Sequence, residues 1–281
     1  MTPTYYINGQ FLPQDTATIS VHDLGLIRGY GVFDYTRTYQ RRPFELDAHL
    51  QRLATSAARL ELPLPHDLDT IADLIQQTID HNPDLPELGL RIIVTGGVSP
   101  SLLYPTGDPS LMILATPPAS FPAELYETGG AVITTRLERL LPDVKSLNYI
   151  TAVRALRQAK AVGAVEALYL DKDGLISEGM TSNLVAVHGR ELITAPEGTV
   201  LNGITRNVVL RLAQEAGYTI THRLIRHDEL SQLDEAFLTS SAKEVLGITR
   251  IDDLTLPGPG PATRDLHHRF QAYTRQTQPQ S

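Results

Sequence analysis

The pattern of apolar and polar positions predicts strands at the beginning of the chain. Residues 4–46 alternate between the two classes with a period of two, which is typical of strands with one buried face. The pair Asn8-Gly9 interrupts this alternation and predicts a tight hairpin, because both residues tolerate the backbone angles of such a turn. A longer run from Val32 to Tyr39 predicts a further strand.

The spacing of apolar residues then changes to that of helices. One predicted helix runs from Asp47, the expected N-cap, to Leu60, and a second runs from Asp67 to His81. Each has apolar residues at intervals of three and four along one face. Strands are predicted near residues 90–95 and 111–115, so residues 1–115 are expected to form a small α+β domain.

A proline-rich stretch, residues 116–122, is predicted to be a linker to a second domain. That domain, residues 123–281, begins with a predicted strand around 131–137 and continues in strand, helix, strand order, which is typical of α/β folds. A final helix is predicted from residue 263 to residue 274. A chain of 281 residues is long enough for two domains.

Composition argues against several classes of function. The net charge of −8 argues against a nucleic-acid surface, which needs clustered basic residues. The absence of cysteine excludes disulfides and thiolate metal sites, and no metal site is predicted. No apolar run approaches the roughly 20 residues that span a membrane, and the first residues lack a leader pattern. We therefore expect a cytoplasmic enzyme with neither a nucleic acid nor a membrane as partner.

Three positions carry candidate chemistry. Gly203-Ile204-Thr205 begins an apolar-periodic helix, and the free N–H groups of a helix start bind phosphate. Glu178 precedes the strand-like residues 184–187, so its carboxylate is expected at a strand entrance, pointing into a pocket. Lys145 lies between a strand-like run and a helix, whereas the other lysines, Lys243 among them, are interpreted as surface charges. A phosphate site, a carboxylate and a lysine together suit pyridoxal phosphate.

These residues resemble the signature of the fold-type IV family of pyridoxal-phosphate enzymes. The family includes branched-chain and D-amino-acid aminotransferases and aminodeoxychorismate lyase. Its Glu, the Asn five residues later, its Leu-x-Thr strand and its Leu-x-Gly-Ile-x-Arg turn match Glu178, Asn183, residues 192–194 and residues 201–206. Its His-x-x-Arg-Leu motif matches residues 49–53. The resemblance covers nearly the whole chain and implies the two-domain D-amino-acid aminotransferase-like fold of mixed α+β and α/β class. It also implies a homodimer and pyridoxal 5'-phosphate as cofactor.

The resemblance implies a role for each matching residue. Lys145 is expected to form the Schiff base with the cofactor and to move the proton of the substrate's α-carbon. Glu178 is expected to face the ring nitrogen and keep it protonated. The other residues expected to bind the cofactor, at its phosphate or, for Tyr149, at its phenolic oxygen, are Arg52, Tyr149, Thr181, Gly203, Ile204, Thr205, Ser240 and Ser241.

The strand near Val32 to Tyr39 is expected to line the substrate side of the pocket. Its alternation puts Phe33 and Tyr35 on one face, which by the resemblance faces the substrate. The backbone amides around Ala242 are also implied to meet a substrate carboxylate.

Two arginines are expected to determine the substrate specificity. Arg91 stands in an otherwise apolar strand, where a buried guanidinium needs an anionic partner. That partner is either an internal carboxylate such as Asp34, or a substrate carboxylate held jointly by Arg28 and Arg91. In this family, D-amino-acid enzymes hold the α-carboxylate near the cofactor's phenolic oxygen, and the two arginines are expected on that side.

The arginines therefore predict an aminotransferase that moves the amino group of a D-amino acid, such as D-alanine or D-glutamate, to 2-oxoglutarate or pyruvate. An arginine that binds the side-chain carboxylate of glutamate would instead fit a branched-chain L-amino-acid aminotransferase. Two alternatives come from other classes. They are an aminodeoxychorismate lyase and a cofactor-binding protein without catalytic activity.

Overall fold

The computed structural model describes residues 2–276 and divides the chain into two units. The first unit ends at Ala119 and also contains Val144–Asn148. The second unit contains Ser120–Asp143 and the chain from Tyr149 onward. The boundary at Ala119 lies inside the predicted linker, whereas the assignment of Val144–Asn148 to the first unit was not expected from the sequence.

The first unit is built on a sheet of six antiparallel strands. They are β1 (Thr4–Ile7), β2 (Gln10–Pro13), β3 (Gly31–Tyr39), β4 (Arg42–Pro43), β5 (Gly89–Thr95) and β6 (Ser110–Thr116). They lie in the order β2-β1-β6-β5-β3-β4. The predicted hairpin joins β1 to β2, and both Asn8 and Gly9 have positive φ there.

Three helices accompany this sheet: α1 (Leu24–Arg28), α2 (Leu46–Arg59) and α3 (Leu68–Asp80). The apolar faces of α2 and α3 pack with the strands in one core, to which α2 contributes Leu53, α3 contributes Ile75 and β5 contributes Ile92. Asp67, at which the second helix was predicted to begin, caps α3 by accepting the N–H of Thr70 with its side chain. The prediction of Asp47 as N-cap is wrong, because α2 already begins at Leu46 after Glu45 and Asp47 lies in its first turn.

The second unit contains ten strands and four α-helices within the described residues. The strands are β7 (Gly130–Arg136), β8 (Glu166–Leu170), β9 (Leu175–Gly179), β10 (Asn183–His188), β11 (Glu191–Thr194), β12 (Thr219–His222), β13 (Ile225–Arg226), β14 (Glu235–Ser240), β15 (Glu244–Ile251) and β16 (Leu254–Thr255). The helices are α4 (Ala123–Thr128), α5 (Ile150–Ala161), α6 (Ile204–Glu215) and α7 (Pro261–Arg275), with a 3-10 helix at His227–Gln232.

Most strands of the second unit form a closed ring of hydrogen-bonded neighbours. Nine strands follow the order β12-β11-β10-β14-β15-β7-β8-β9-β13, and β16 pairs with β15. The pairs β7–β8, β7–β15 and β11–β12 are parallel and the others are antiparallel. An additional pair between β9 and β10 joins Glu178 to Asn183, so the six strands from β10 through β14, β15, β7, β8 and β9 close into a ring. From residue 2 to residue 276, no helix is both long and apolar enough to cross a membrane.

Candidate cofactor and substrate site

In the first unit, the segment carrying Lys145 lies along strand β3. The N–H of Phe33 donates to the Lys145 carbonyl at 2.9 Å, and the N–H of Leu147 donates to the Gly31 carbonyl at 3.0 Å. The backbone N–H of Lys145 donates to Ser56 Oγ on α2 at 3.1 Å. These bonds fix the backbone of a lysine that belongs to no helix or strand of its own.

The ring of Phe33 lies beside two cationic side chains. Lys145 Nζ is 4.6 Å from the ring centroid, and the Arg91 guanidinium carbon is 5.7 Å from it. Both distances are in the range of cation–π contacts. Phe33 and Tyr35 lie on the half-exposed face of β3, as predicted, and Tyr35 is the register partner of Arg91. The amine of Lys145 and the guanidinium of Arg91 therefore both lie beside the Phe33 ring.

The expectation that Arg91 is buried is wrong. Its side chain is exposed, because the alternation of β5 places position 91 opposite the apolar face that packs on the helices. The internal partner considered for it, Asp34, lies on the buried face of β3 and pairs with other residues. Arg28 is also exposed, at the end of α1, where its Nη1 donates to the Ile27 carbonyl at 3.2 Å.

Asp34, Arg52 and His49 form a buried charged cluster under β3. Arg52 donates two hydrogen bonds of 2.8 Å to the two oxygens of Asp34. His49 Nδ1 lies 2.6 Å from Asp34 Oδ1. Burial alone would raise the pKa of Asp34, but Arg52 and His49 outweigh it and hold the pKa well below its usual range. Burial lowers the pKa of His49 and Asp34 only partly offsets this, so the imidazole is neutral at neutral pH.

In the second unit, Glu178 is 2% exposed and sits at the end of strand β9. The sequence placed it in a turn before a strand; it is in fact in the strand whose pairing with Asn183 closes the ring. Arg139 Nη1 donates to Glu178 Oε1 at 2.7 Å. Glu178 Oε2 accepts from Asn183 Nδ2 at 3.1 Å and from the N–H of Leu201 at 3.3 Å. The carboxylate is thus held by three donors.

Arg139 lies close to this carboxylate and is also influenced by Tyr149. Burial lowers the pKa of Arg139, but the charge of Glu178 outweighs it, with a smaller contribution from Tyr149, and the pKa is raised. Tyr149 precedes α5, and its half-buried ring packs beside a cluster of small residues that includes Ala152. The guanidinium therefore stays charged next to Glu178.

The N-terminus of α6 fits a phosphate group. Gly203 is the N-cap and supplies no side-chain cap to the first N–H groups of the helix. A β-carbon at Gly203 would lie 1.7 Å from Asn183 Oδ1, so only glycine allows this approach. Within the described chain, the Thr205 hydroxyl is buried and has no hydrogen-bond partner. Uncapped N–H groups of Ile204 and Thr205 beside such a hydroxyl suit an anion.

The end of β14 and the turn that follows it contain Ser240, Ser241 and Ala242, all half-buried. Ser240 Oγ accepts from the N–H of Lys243 at 3.0 Å. Thr181 is exposed, but its hydroxyl donates to Glu166 Oε2 at 2.6 Å and accepts from Lys243 Nζ at 2.7 Å. Lys243 thus connects two segments that were predicted from the sequence to bind the cofactor.

Three residues of these networks were not predicted from the sequence. Lys243 was interpreted as a surface charge, and this is wrong, because the side chain is buried. The sequence does contain an indication for Glu166, because it is a lone acidic residue within the strand-like run Val165–Leu170. For Arg139 and Lys243, the local sequence pattern does not distinguish a buried charge from a surface one.

The architecture is that of fold-type IV transaminases. A family model described as class IV amino-transferase matches residues 31–251, and the chain belongs to this family. It is a pyridoxal 5'-phosphate-dependent aminotransferase, and the cofactor prediction is confirmed.

Relatives with two different substrate names match nearly the whole chain. A putative branched-chain-amino-acid aminotransferase of Methanocaldococcus jannaschii is 35% identical over 276 residues, covering 95% of this chain and 94% of the relative. A D-alanine aminotransferase of Bacillus licheniformis is 32% identical over 269 residues, covering 94% of each chain. The crystal structure of the branched-chain aminotransferase of Thermoproteus uzoniensis with norvaline superposes with a TM-score of 0.90 at 26% identity, covering 98% of this chain and 95% of that one.

Proposed function

We propose that this aminotransferase takes the amino group from a D-amino acid, such as D-alanine or D-glutamate, and delivers it to 2-oxoglutarate or pyruvate. The observation that carries the proposal is the exposed Arg91 guanidinium, which shares the Phe33 ring with Lys145 Nζ. A guanidinium binds a carboxylate at two points, which fixes an amino acid's orientation. Arg28, also exposed, is proposed as the second cation for that carboxylate.

Handedness follows from the order of groups around the α-carbon. If Lys145 removes the α-proton from one fixed face, exchanging the positions of carboxylate and side chain exchanges the enantiomer. Arg91 and Arg28 are proposed to hold the carboxylate on the side that D-amino-acid enzymes of this family use. The name of the Bacillus licheniformis relative supports this assignment.

The bound cofactor supplies an electron-withdrawing ring that stabilises negative charge at the substrate's α-carbon. Lys145 is proposed to hold the cofactor covalently and then to move the α-proton with its freed amine. Glu178, held by three donors, is proposed to keep the ring nitrogen protonated. Tyr149 is proposed to meet the phenolic oxygen.

The phosphate is proposed to bind at two segments of the second unit. For the first unit, Arg52 is proposed as a phosphate ligand. The segments are the α6 start, with its buried Thr205 hydroxyl, and the turn of Ser240 and Ser241. The backbone amide of Ala242 is proposed to contact the substrate carboxylate. In the first unit, Phe33 and Tyr35 are proposed to line the substrate side of the site.

We also propose that the protein is a homodimer. In the first unit, the neighbouring segments around α1 and residue 98 expose apolar side chains, among them Val21 and Tyr104, each 70% exposed. In the second unit, α5 exposes Ile150 and Val153. Grouped apolar exposure of this kind is typical of surfaces that bind a partner. Light scattering after size-exclusion chromatography would measure the mass, and a monomer would contradict the proposal.

A single-turnover experiment tests the substrate assignment. The protein loaded with pyridoxal phosphate is mixed separately with D-alanine, D-glutamate, L-leucine and L-glutamate, and its visible absorbance and the 2-oxo acid formed are followed together. The proposal expects the absorbance to be lost with D-substrates, with 2-oxo acid formed in equal amount. Loss with the L-substrates alone would establish a branched-chain L-amino-acid aminotransferase instead.

Lysine variants provide the control for this experiment. Lys145→Ala should abolish the half-reaction while still binding cofactor non-covalently, whereas Lys160→Ala, which changes an exposed helix residue, should react like the parent. Unchanged turnover in the Lys145 variant would remove its proposed role. Pyruvate release from aminodeoxychorismate without amination of the cofactor would indicate the lyase.

A further inference from the structure

Lys243 is a buried lysine in a chain where the other lysines are more exposed. Lys243 is 4% exposed, and it directly follows Ser240, Ser241 and Ala242 in the chain. Its Nζ donates to Glu166 Oε2 at 2.9 Å and to Thr181 Oγ1 at 2.7 Å, and lies 5.6 Å from the centroid of the Phe121 ring. A buried ammonium is stable only with such compensation.

Its partner Glu166 is fully buried in strand β8. One oxygen of this carboxylate accepts from Lys243 Nζ, from the N–H and hydroxyl of Thr181, at 3.3 and 2.6 Å, and from the hydroxyl of Ser182 at 3.1 Å. Thr181 and Ser182 belong to the short connection between Glu178 on β9 and Asn183 on β10. The ion pair therefore holds the connection between the two residues that close the ring.

Lys243 is bonded to the other turn as well. Its backbone N–H donates to Ser240 Oγ, while its side chain reaches Thr181. We infer that Lys243 is a positioning residue for the cofactor, because with Glu166 it fixes the turn of Ser240–Ala242 relative to the connection of Thr181 and Ser182. This inference rests on the cofactor contacts proposed above for these segments.

Removing the ammonium should loosen both segments and leave the Glu166 carboxylate without its counter-charge. We expect Lys243→Met to raise the Kd for pyridoxal phosphate about tenfold or more, the size of effect that outer-shell groups have at metal sites. Lys243→Arg, which keeps the charge, should bind the cofactor more tightly than Lys243→Met. The double variant Glu166→Gln, Lys243→Met should fold better than the single variant, because it leaves no buried unpaired charge. It should still bind the cofactor weakly.

The test is an equilibrium titration of each apoprotein with pyridoxal phosphate, together with its melting temperature without cofactor. Lys172→Met is the matched control, since its side chain is 80% exposed. A raised Kd in the Lys243 variants, with the control like the parent, supports the inference. A lower melting temperature with Kd within twofold of the parent in both Lys243→Met and the double variant would overturn it. If Lys243→Met does not fold, the double variant decides the question by the same Kd. Failure of the parent to bind the cofactor would instead overturn the proposed contacts.

Discussion

Arg52 is held by Asp34 through two hydrogen bonds of 2.8 Å, from Nε to Oδ2 and from Nη2 to Oδ1. These two hydrogen bonds therefore fix the orientation of the planar guanidinium. Because His49 contacts the same carboxylate, Asp34 joins strand β3 to helix α2 at two side chains. The cluster has a consequence for stability.

Asp34→Asn should destabilise the first unit at neutral pH by about 3–5 kcal/mol, because it breaks a buried ion pair and leaves Arg52 without its counter-charge. The pKa of Asp34 is lowered in the folded protein, so its ionised form stabilises the fold at pH values above the unfolded pKa of about 4. That contribution is lost as the pH falls below about 4. The difference between the parent and the variant should therefore shrink at acid pH, as measured by urea unfolding across a pH series.

Asp73→Asn is the control for this series, because Asp73 is an exposed residue in the middle of α3. Its stability should match that of the parent at each pH within about 0.5 kcal/mol. If Asp34→Asn stayed as stable as the parent at neutral pH, the ion pair would contribute nothing to the fold.

Arg139→Met should move the acid limb of the activity profile to higher pH. Glu178 is buried, and loss of a cationic neighbour favours the protonated form of a buried carboxyl group. A hydrogen bond to a charged group contributes about 1.5–3 kcal/mol, which corresponds to a displacement of about one to two pH units. Measuring kcat from about pH 5 to about pH 9 tests this expectation, because the pH dependence of kcat reports the pKa values of the groups that limit activity.

Arg136→Met serves as the comparison, because Arg136 is exposed at the end of β7. Its pH profile should coincide with that of the parent. Equal profiles for both arginine variants would show that Arg139 does not influence the group that limits activity at low pH.

Local patterns predicted most elements of the fold, whereas long-range contacts decided the details. The helices α2 and α3 follow their apolar spacing, yet α2 begins before Asp47 because the preceding residues are tied to β3. The Thr36 hydroxyl donates to the Phe44 carbonyl at 2.8 Å, and the N–H of Phe44 donates to the Arg37 carbonyl at 2.9 Å. The ring closure at Glu178 and Asn183 is likewise a pairing between strands, which periodicity does not encode.

Some features of the candidate site were likewise predictable from the sequence, and others were not. The family signature predicts Glu178 by residue type and spacing, whereas Lys145 was predicted from its place between a strand-like run and a helix. Burial of single charges was harder to predict: Arg91 is exposed and Lys243 is buried, the reverse of what was expected for each. Whether a charged side chain is buried depends on a partner from another strand, such as Glu166 for Lys243, and the local sequence does not contain that partner.

Arg91→Met should raise the KM for D-amino acids about ten- to a hundredfold with a smaller change in kcat. The expected cause is the loss of a charge-assisted hydrogen bond to the α-carboxylate, which contributes about 1.5–3 kcal/mol. Steady-state kinetics with D-alanine and D-glutamate give both parameters. D-Alanine has no side-chain carboxylate, so an increase with this substrate assigns the guanidinium to the α-carboxylate.

Arg42→Met is the control, since Arg42 is exposed on the short strand β4. An unchanged KM in the Arg91 variant would remove the arginine from the substrate site. An increase confined to L-glutamate would mean that Arg91 binds a side-chain carboxylate, as the branched-chain alternative requires.

Glu235→Ala should destabilise the second unit without changing the affinity for cofactor. Glu235 is 6% exposed, and its carboxylate accepts from the N–H groups of Ala262 and Thr263, at 2.9 and 2.8 Å, at the start of α7. Gly260, the N-cap, supplies no side chain for this purpose, so the carboxylate of a strand residue takes the place of a cap. Losing it leaves two buried N–H groups without acceptors, at about 1–3 kcal/mol each.

Thermal unfolding should show a lower melting temperature for Glu235→Ala than for Glu235→Gln, which keeps one acceptor oxygen. Glu138→Ala, at an exposed position, should melt like the parent. Equal melting temperatures for all three variants would mean that α7 is held by its apolar face alone.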